Sequence, residues 1–545
     1  MKQRECSHRI GWFTMLVILG VAALWFVPEV ELFGMQLSRV DIFAELRDGA
    51  KDEVVEYEAD IERLEMELAA MTEVEAVVEV DTLPELPPVR YEWMLEREAL
   101  SPRRVLNSSD LEVVAERLSV AIEDFDTLEH SRFDALVERL ASGGGLRIAF
   151  MGDSFVEGDI LTSDLRAELQ ELFGGRGAGF VACDIPFATV RKSIKRTSSG
   201  WSAYSVMKPM SAPDDVVDKF FVSGYLAKGG VGATTRWQTT SAFETLDSCT
   251  RARVLLYSRD TSLVRVTIND SIVNEVEVAG DERVREIYVE APIIEALTLK
   301  VLDGEVLCYG ASMEGDAGVT VDNFSVRSNN GHAIFGTGAT VNRQIDEFLG
   351  YDLVVLQYGL NIMQQGQRKY TNYREQLCNM IAYAERCFPN AAILVLGVSD
   401  RWVKGESGGY EPIGSVDALT AHQRAAADST NVAFWNTSQA MQALGGMPHF
   451  VSSGWAANDY THINFAGGKR IAKALASAIV APVYEVLKAE ELEAQRRMEA
   501  EERLRAEVQQ RFELQAQREL EVCVEQEILH PKRAEESVDV IIEEE

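Results

Sequence analysis

The sequence predicts an α/β domain built on a parallel sheet and interrupted by an all-β domain, and three observations carry that prediction. Short apolar runs at 146–151, 352–358, 391–397 and 432–435 alternate with helical patterns at 161–173, 371–387, 416–428 and 465–485. Strands separated by helices argue for a parallel sheet covered on both faces. The first run leads straight into Gly152-Asp153-Ser154 and a helix, a strand–turn–helix unit with a serine at the turn. Residues 215–330 change period. Runs such as Arg253-Val254-Leu255-Leu256-Tyr257 and Val264-Arg265-Val266-Thr267-Ile268 are separated by turn signals at Asn269-Asp270 and Asp303-Gly304. About 100 residues of that kind fit an inserted β-sandwich.

The flanks read differently. Residues 10–28 form an uncharged apolar run, about one bilayer crossing as a helix. Lys2, Arg4 and Arg9 precede it and Glu29 and Glu31 follow, which keeps residues 1–9 cytoplasmic and sends the rest outward. The bulky Trp25-Phe26-Val27-Pro28 offers no small-residue cleavage site, so a retained anchor is expected, with a cleaved signal peptide as the alternative. Residues 29–108 read as a helical stalk (38–76) followed by an acidic, proline-containing linker (77–92). In 109–145, Ser109 or Asp110 caps a helix towards Glu123, and a second helix at 131–141 ends at Gly143-Gly144-Gly145. The predicted domain is then 146–214, the sandwich 215–319, and the domain again 320–485. Residues 486–526 are a charged helix with a thin apolar stripe, a solvated helix or a weak coiled coil, before an acidic tail ending at 545.

The formal charge is −34. That excludes a nucleic-acid binder with a basic face and loose adsorption on an anionic membrane. Seven cysteines lie at 6, 183, 249, 308, 378, 387 and 523, none in a C-x-x-C pair. Cys249 and Cys308, both in the strand-rich region, could pair in an oxidising compartment; buried free thiols are the alternative.

Three loops at predicted strand ends hold the chemically capable residues, where open α/β sheets place ligands. Ser154 sits at a helix mouth with its backbone N–H free to face a ligand. Alone, Gly152-Asp153-Ser154 reads more readily as a plain helix cap. In Tyr358-Gly359-Leu360-Asn361 the glycine permits close approach and the amide of Asn361 can donate to an oxyanion. In Asp459-Tyr460-Thr461-His462, a spacing of three lets the carboxylate orient the imidazole. Each motif is weak; nucleophile, oxyanion donor and acid–histidine pair in this order are not.

The pattern resembles the SGNH/GDSL hydrolases. Their first block looks like Gly152-Asp153-Ser154, their third like Gly359-x-Asn361 and their fifth like Asp459-x-x-His462. For their second block, a glycine whose N–H completes the oxyanion hole, the candidate is Gly331, with Gly336 and Gly338 close by. The resemblance covers 146–210 and 320–482 and implies a flavodoxin-like three-layer fold. Arg147-Ile148-x-x-x-Gly152-Asp153-Ser154-x-x-x-Gly158-Asp159 is similar to a subgroup of extracytoplasmic bacterial polysaccharide O-acetylesterases and O-acetyltransferases, in which a β-sandwich is inserted. It implies Ser154, Asp459 and His462 as catalytic residues, Ser154, Gly331 and Asn361 around the oxyanion, and no cofactor or metal. The implied substrate is an O-acylated, in particular O-acetylated, envelope glycan. The implied partners are the inner membrane, through residues 10–28, and a membrane-bound O-acyltransferase if the reaction is transfer. A non-catalytic glycan-binding scaffold is the rival reading. Trp201, Tyr204, Phe220, Phe221, Tyr225 and Trp237 are expected mostly in the core, with sugar stacking as the alternative.

Overall fold

The computed structural model describes residues 30–32, 35–37, 87–96, 104–127, 131–187, 191–405 and 407–529. They fall into two units that meet in sequence at Leu83 and Pro84. In the first unit, Val30–Leu32 pairs antiparallel with Met35–Leu37. The predicted span at 10–28, the stalk helix at 38–76 and the acidic tail lie outside the described residues. Among the described residues, no helix is long and apolar enough to cross a membrane.

The second unit contains the predicted parallel sheet. Its strands are β1 (Leu146–Gly152), β2 (Val319–Ser325), β3 (Leu353–Gln357), β4 (Ala392–Leu396) and β5 (Ala433–Trp435). Every neighbouring pair is parallel, in the order β2-β1-β3-β4-β5. All residues of β1, β3 and β4 are buried, which explains continuous rather than alternating apolar runs. This is the flavodoxin-like order, and the direction in which successive strands are added reverses between β1 and β3. The carboxyl ends of those two strands therefore border a crevice, and Ser154 follows β1 directly.

Two helical layers cover the sheet. One contains α1 (Ser108–Ala115), α2 (Arg132–Ala141), α3 (Thr162–Phe173) and α7 (Phe465–Leu529); the other contains α4 (Ala339–Leu349), α5 (Thr371–Cys387) and α6 (Val416–Ser429). In α2, Ser131 accepts the Asp134 N–H at 2.9 Å as a cap, and Phe133, Leu136, Val137 and Leu140 form the buried stripe. The first helix is shorter than predicted. It ends at Ala115, because the chain beyond it forms a bridge between Glu123 and Phe434 at the β5 edge. In α7, Ile471, Leu475, Ile479 and Val483 are buried at steps of four. The helix does not stop at 485 but runs on to Leu529 as an exposed single helix, tied near its base by Ser108 to Glu491 at 2.7 Å.

The β domain is larger than 215–319. Its ten-stranded sheet also takes in Gly179–Ala182 and Lys195–Ser205, and Val89–Met94, which falls in the stalk-and-linker region read above at 29–108, pairs parallel with Val284–Ile294. Proline flanks hid that edge strand, although its side chains alternate between half-buried and exposed. The long strand Tyr225–Gln238 pairs with Ala296–Asp303 near one end and with Val306–Glu314 near the other, so the sheet folds over a second core. Phe220, Phe221 and Trp237 are fully buried, as expected of core aromatics. Cys249 bonds the Ile294 carbonyl, whereas Cys308 faces Cys183, so the pairing considered above does not form; the six described cysteines are free thiols.

Candidate active site

The three loops meet. Ser154 Oγ lies 3.3 Å from His462 Nε2, and His462 Nδ1 lies 2.7 Å from Asp459 Oδ2. These groups are 308 residues apart in sequence, and the topology alone brings them together. Asp459 Oδ1 also accepts the backbone N–H groups of Thr461 (3.0 Å) and His462 (3.1 Å). Partial burial raises the Asp459 pKa, but the His462 ring and these two N–H groups outweigh it and hold the carboxyl at about 2. It therefore stays ionised at neutral pH and fixes the imidazole with Nε2 towards the serine. Serine, histidine and aspartate are all half-buried or more exposed, so the site is open at the surface.

The serine turn is held from below. Asp153 is fully buried and accepts the Phe155 N–H at 2.9 Å. Burial pushes its pKa up to about 7, against the opposing pull of that N–H and of His462. Asn323 of β2 donates to the Val156 carbonyl at 2.8 Å and to Thr162 Oγ1 at 2.7 Å, linking strand, turn and α3. Neither role was visible in the sequence, since each depends on what packs beneath the turn.

Asn361 reaches the site with its amide engaged. Nδ2 donates to the Asn329 carbonyl at 3.1 Å and to Asp153 Oδ2 at 3.4 Å. Gly331 does not arrive as a free donor. It is buried, its N–H donates to Asn329 Oδ1 at 2.8 Å, and Met380 and Tyr358 leave no room for a Cβ. That glycine closes a turn. Three residues earlier, Ser328 has φ 55, the left-handed region that favours glycine. Its loop leaves β2 beside the serine turn, with the Val326 N–H bonded to the Gly152 carbonyl at 2.9 Å. Among the described residues, the backbone N–H groups of Ser154 and Ser328 donate to no protein acceptor. Ser328 is not a glycine, so the glycine of the second block does not point to it; its signal in the sequence is the distance past the end of β2.

Sequence comparison matches the chain to no family model and to no curated protein. Comparison with solved structures is informative. A peptidoglycan O-acetylesterase superposes with a TM-score of 0.55 at 22% identity, covering 68% of this chain and 99% of that one. The chain shares the fold of that protein. A GDSL-like lipase from Parabacteroides merdae (15% identity, 30% of this chain and 74% of that one, TM-score 0.22) also aligns. So does a family two carbohydrate esterase from Clostridium thermocellum in complex with cellohexaose (12%, 46% and 93%, TM-score 0.19). At those scores neither adds to the argument.

Proposed function

We propose that the chain is a serine esterase that removes O-acyl, in particular O-acetyl, groups from an envelope glycan through an acyl-serine intermediate. The observation that carries this reading is the hydrogen-bonded line from Ser154 through His462 to Asp459 at the mouth of an SGNH-type fold. His462 Nε2 takes the Ser154 proton as Oγ attacks the ester carbonyl, and Asp459 stabilises the imidazolium that forms. The 3.3 Å separation is within reach of the tightening that substrate brings. The oxyanion is received by the N–H groups of Ser154 and Ser328. Asn361 joins as a third donor when its longer bond, to Asp153, is released. His462 then returns the proton to the leaving sugar oxygen, and water, activated by the same imidazole, frees the acyl group. The exposure of the triad suits a polymeric substrate that cannot enter a deep pocket. The charge pattern around residues 10–28 supports tethering to the inner membrane with this domain outside the cytoplasm.

The test is labelling with a fluorophosphonate together with acetate release from O-acetylated peptidoglycan. Wild type is expected to label at Ser154 and to release acetate, and Ser154→Ala to do neither. A wild-type protein that stays unlabelled while folded removes the reading. Accumulation of acetylated sugar acceptor in place of acetate identifies transfer instead of hydrolysis.

A further inference from the structure

A two-stranded hairpin, Trp402–Lys404 paired with Tyr410–Pro412, lies between the Asn361 loop and the loop at 459–462. It is tied to both. The Trp402 N–H donates to the Tyr460 carbonyl at 3.1 Å, and Arg401 Nη1 donates to the Leu360 carbonyl at 3.1 Å. Gln365 of the Asn361 loop also donates to Glu411 at 3.0 Å. On this hairpin the Tyr410 ring lies flat over that of Tyr460, with centroids 4.0 Å apart and planes 18° apart. Other aromatic pairs among the described residues meet edge-on, none at less than 63°. Edge-on contact is how rings fill a core. A flat pair at the surface is a different arrangement. Tyr410 is 40% exposed, and Tyr460, two residues from His462, is held at φ 56. A non-glycine residue there is strained, and such strain is concentrated at functional sites.

We propose that the Tyr410–Tyr460 stack is a platform for a pyranose ring, seating the sugar that carries the ester beside Ser154. The open face of Tyr410 matches the apolar C–H face of a pyranose. Glu411, the next residue of the strand, and Gln365 are exposed as well and bond each other. The aromatics singled out in the sequence, at 201–237, are largely core, whereas this pair becomes a surface feature only through the hairpin. The inference rests on the esterase reading, and its test separates the two.

Turnover of p-nitrophenyl acetate, which has no sugar, is compared with turnover of a 6-O-acetylated N-acetylglucosamine oligosaccharide. Tyr410→Ala is expected to raise KM for the oligosaccharide about tenfold, with kcat and the phenyl ester within twofold of wild type, and Tyr410→Trp to restore KM. Equal losses on both substrates make Tyr410 a mere support of the 459–462 loop and overturn the platform; so does no loss on either. Binding of the same oligosaccharide to Ser154→Ala gives an independent readout should esterase activity be absent. Tyr410→Ala must weaken that binding about tenfold, and an absent or unchanged affinity sinks the proposal.

Discussion

Asp153 and Ser328 show how much of the site depends on single residues outside the triad. Asp153, fully buried, has its pKa pushed up to about 7 from 3.8. The folded state thus holds the proton more tightly than the unfolded chain, so stability falls as pH rises from about 4 towards 7. Asp153→Asn keeps the acceptor for the Phe155 N–H and removes the charge. It is expected to stabilise the protein by about 2 kcal/mol at pH 8 and hardly at all at pH 4. Melting curves at the two pH values check this; an equal effect at both removes the charge argument. Ser328→Gly is expected to raise stability by about 1 kcal/mol, by relieving a left-handed backbone, and to leave kcat within twofold. A loss of activity in that variant would mean that the Ser328 hydroxyl, not its N–H, matters. At the triad itself, Asp459→Asn disturbs the tautomer of His462 and should lower kcat by about 10²–10⁴, measured on a soluble ester.

At the level of elements, the contrast lies within α7. Its first part fills the layer against α1, α2 and α3, whereas its described side chains from 488 onward are exposed. Exposed helix that packs against nothing contributes little to folding. Truncation after Gln495 is therefore expected to leave melting temperature and ester turnover unchanged, while truncation after Ala481 removes buried Val483 and Leu487 and lowers the melting temperature. Turnover lost with the shorter deletion would assign the distal helix a part in catalysis. Asn323 acts at the same scale. It joins β2, the serine turn and α3 through one side chain, so Asn323→Ala should reduce kcat more than it raises KM.

Across the whole second unit, a buried charge network joins the parallel sheet to the β domain. Arg147 of β1 pairs with Glu314 and, at 2.8 Å, with Asp322. Arg253 bonds Glu314 at 2.6 Å and Glu286 at 2.9 Å, and Arg90 on the edge strand also pairs with Glu286. Tyr351 donates to Asp322 at 2.7 Å. Burial acts to raise the Glu314 pKa, but Arg147 and Arg253 outweigh it and hold the carboxyl well below the usual range. Its contribution is thus fully present above about pH 4.5 and is lost as pH falls through the lower folded value. Removing one member of such a set strands the others, so Arg147→Met is expected to destabilise by about 3–5 kcal/mol. Because the network spans both sheets, calorimetry should show them melting in one transition in the wild type, with a steeper loss of stability below pH 4.5 than in Glu314→Gln.

Local pattern was enough for the elements around the catalytic loops. The helix at 371–387 and the strands at 353–357 and 392–396 follow from period and length, because burial on both faces writes continuous apolar runs. Ser154, Asn361, Asp459 and His462 were legible because each stands at a strand end or helix start. Local pattern thus sets the order of elements and the chemical types at their ends. Which N–H groups stay free depends on the folded packing, since the engagement of Gly331 by Asn329 is a packing outcome. The same packing also decides that Val89–Met94 is an edge strand, that charged residues clamp two sheets, and that Tyr410 stacks on Tyr460. Those facts depend on contacts between residues far apart in the chain, and no local periodicity records such contacts.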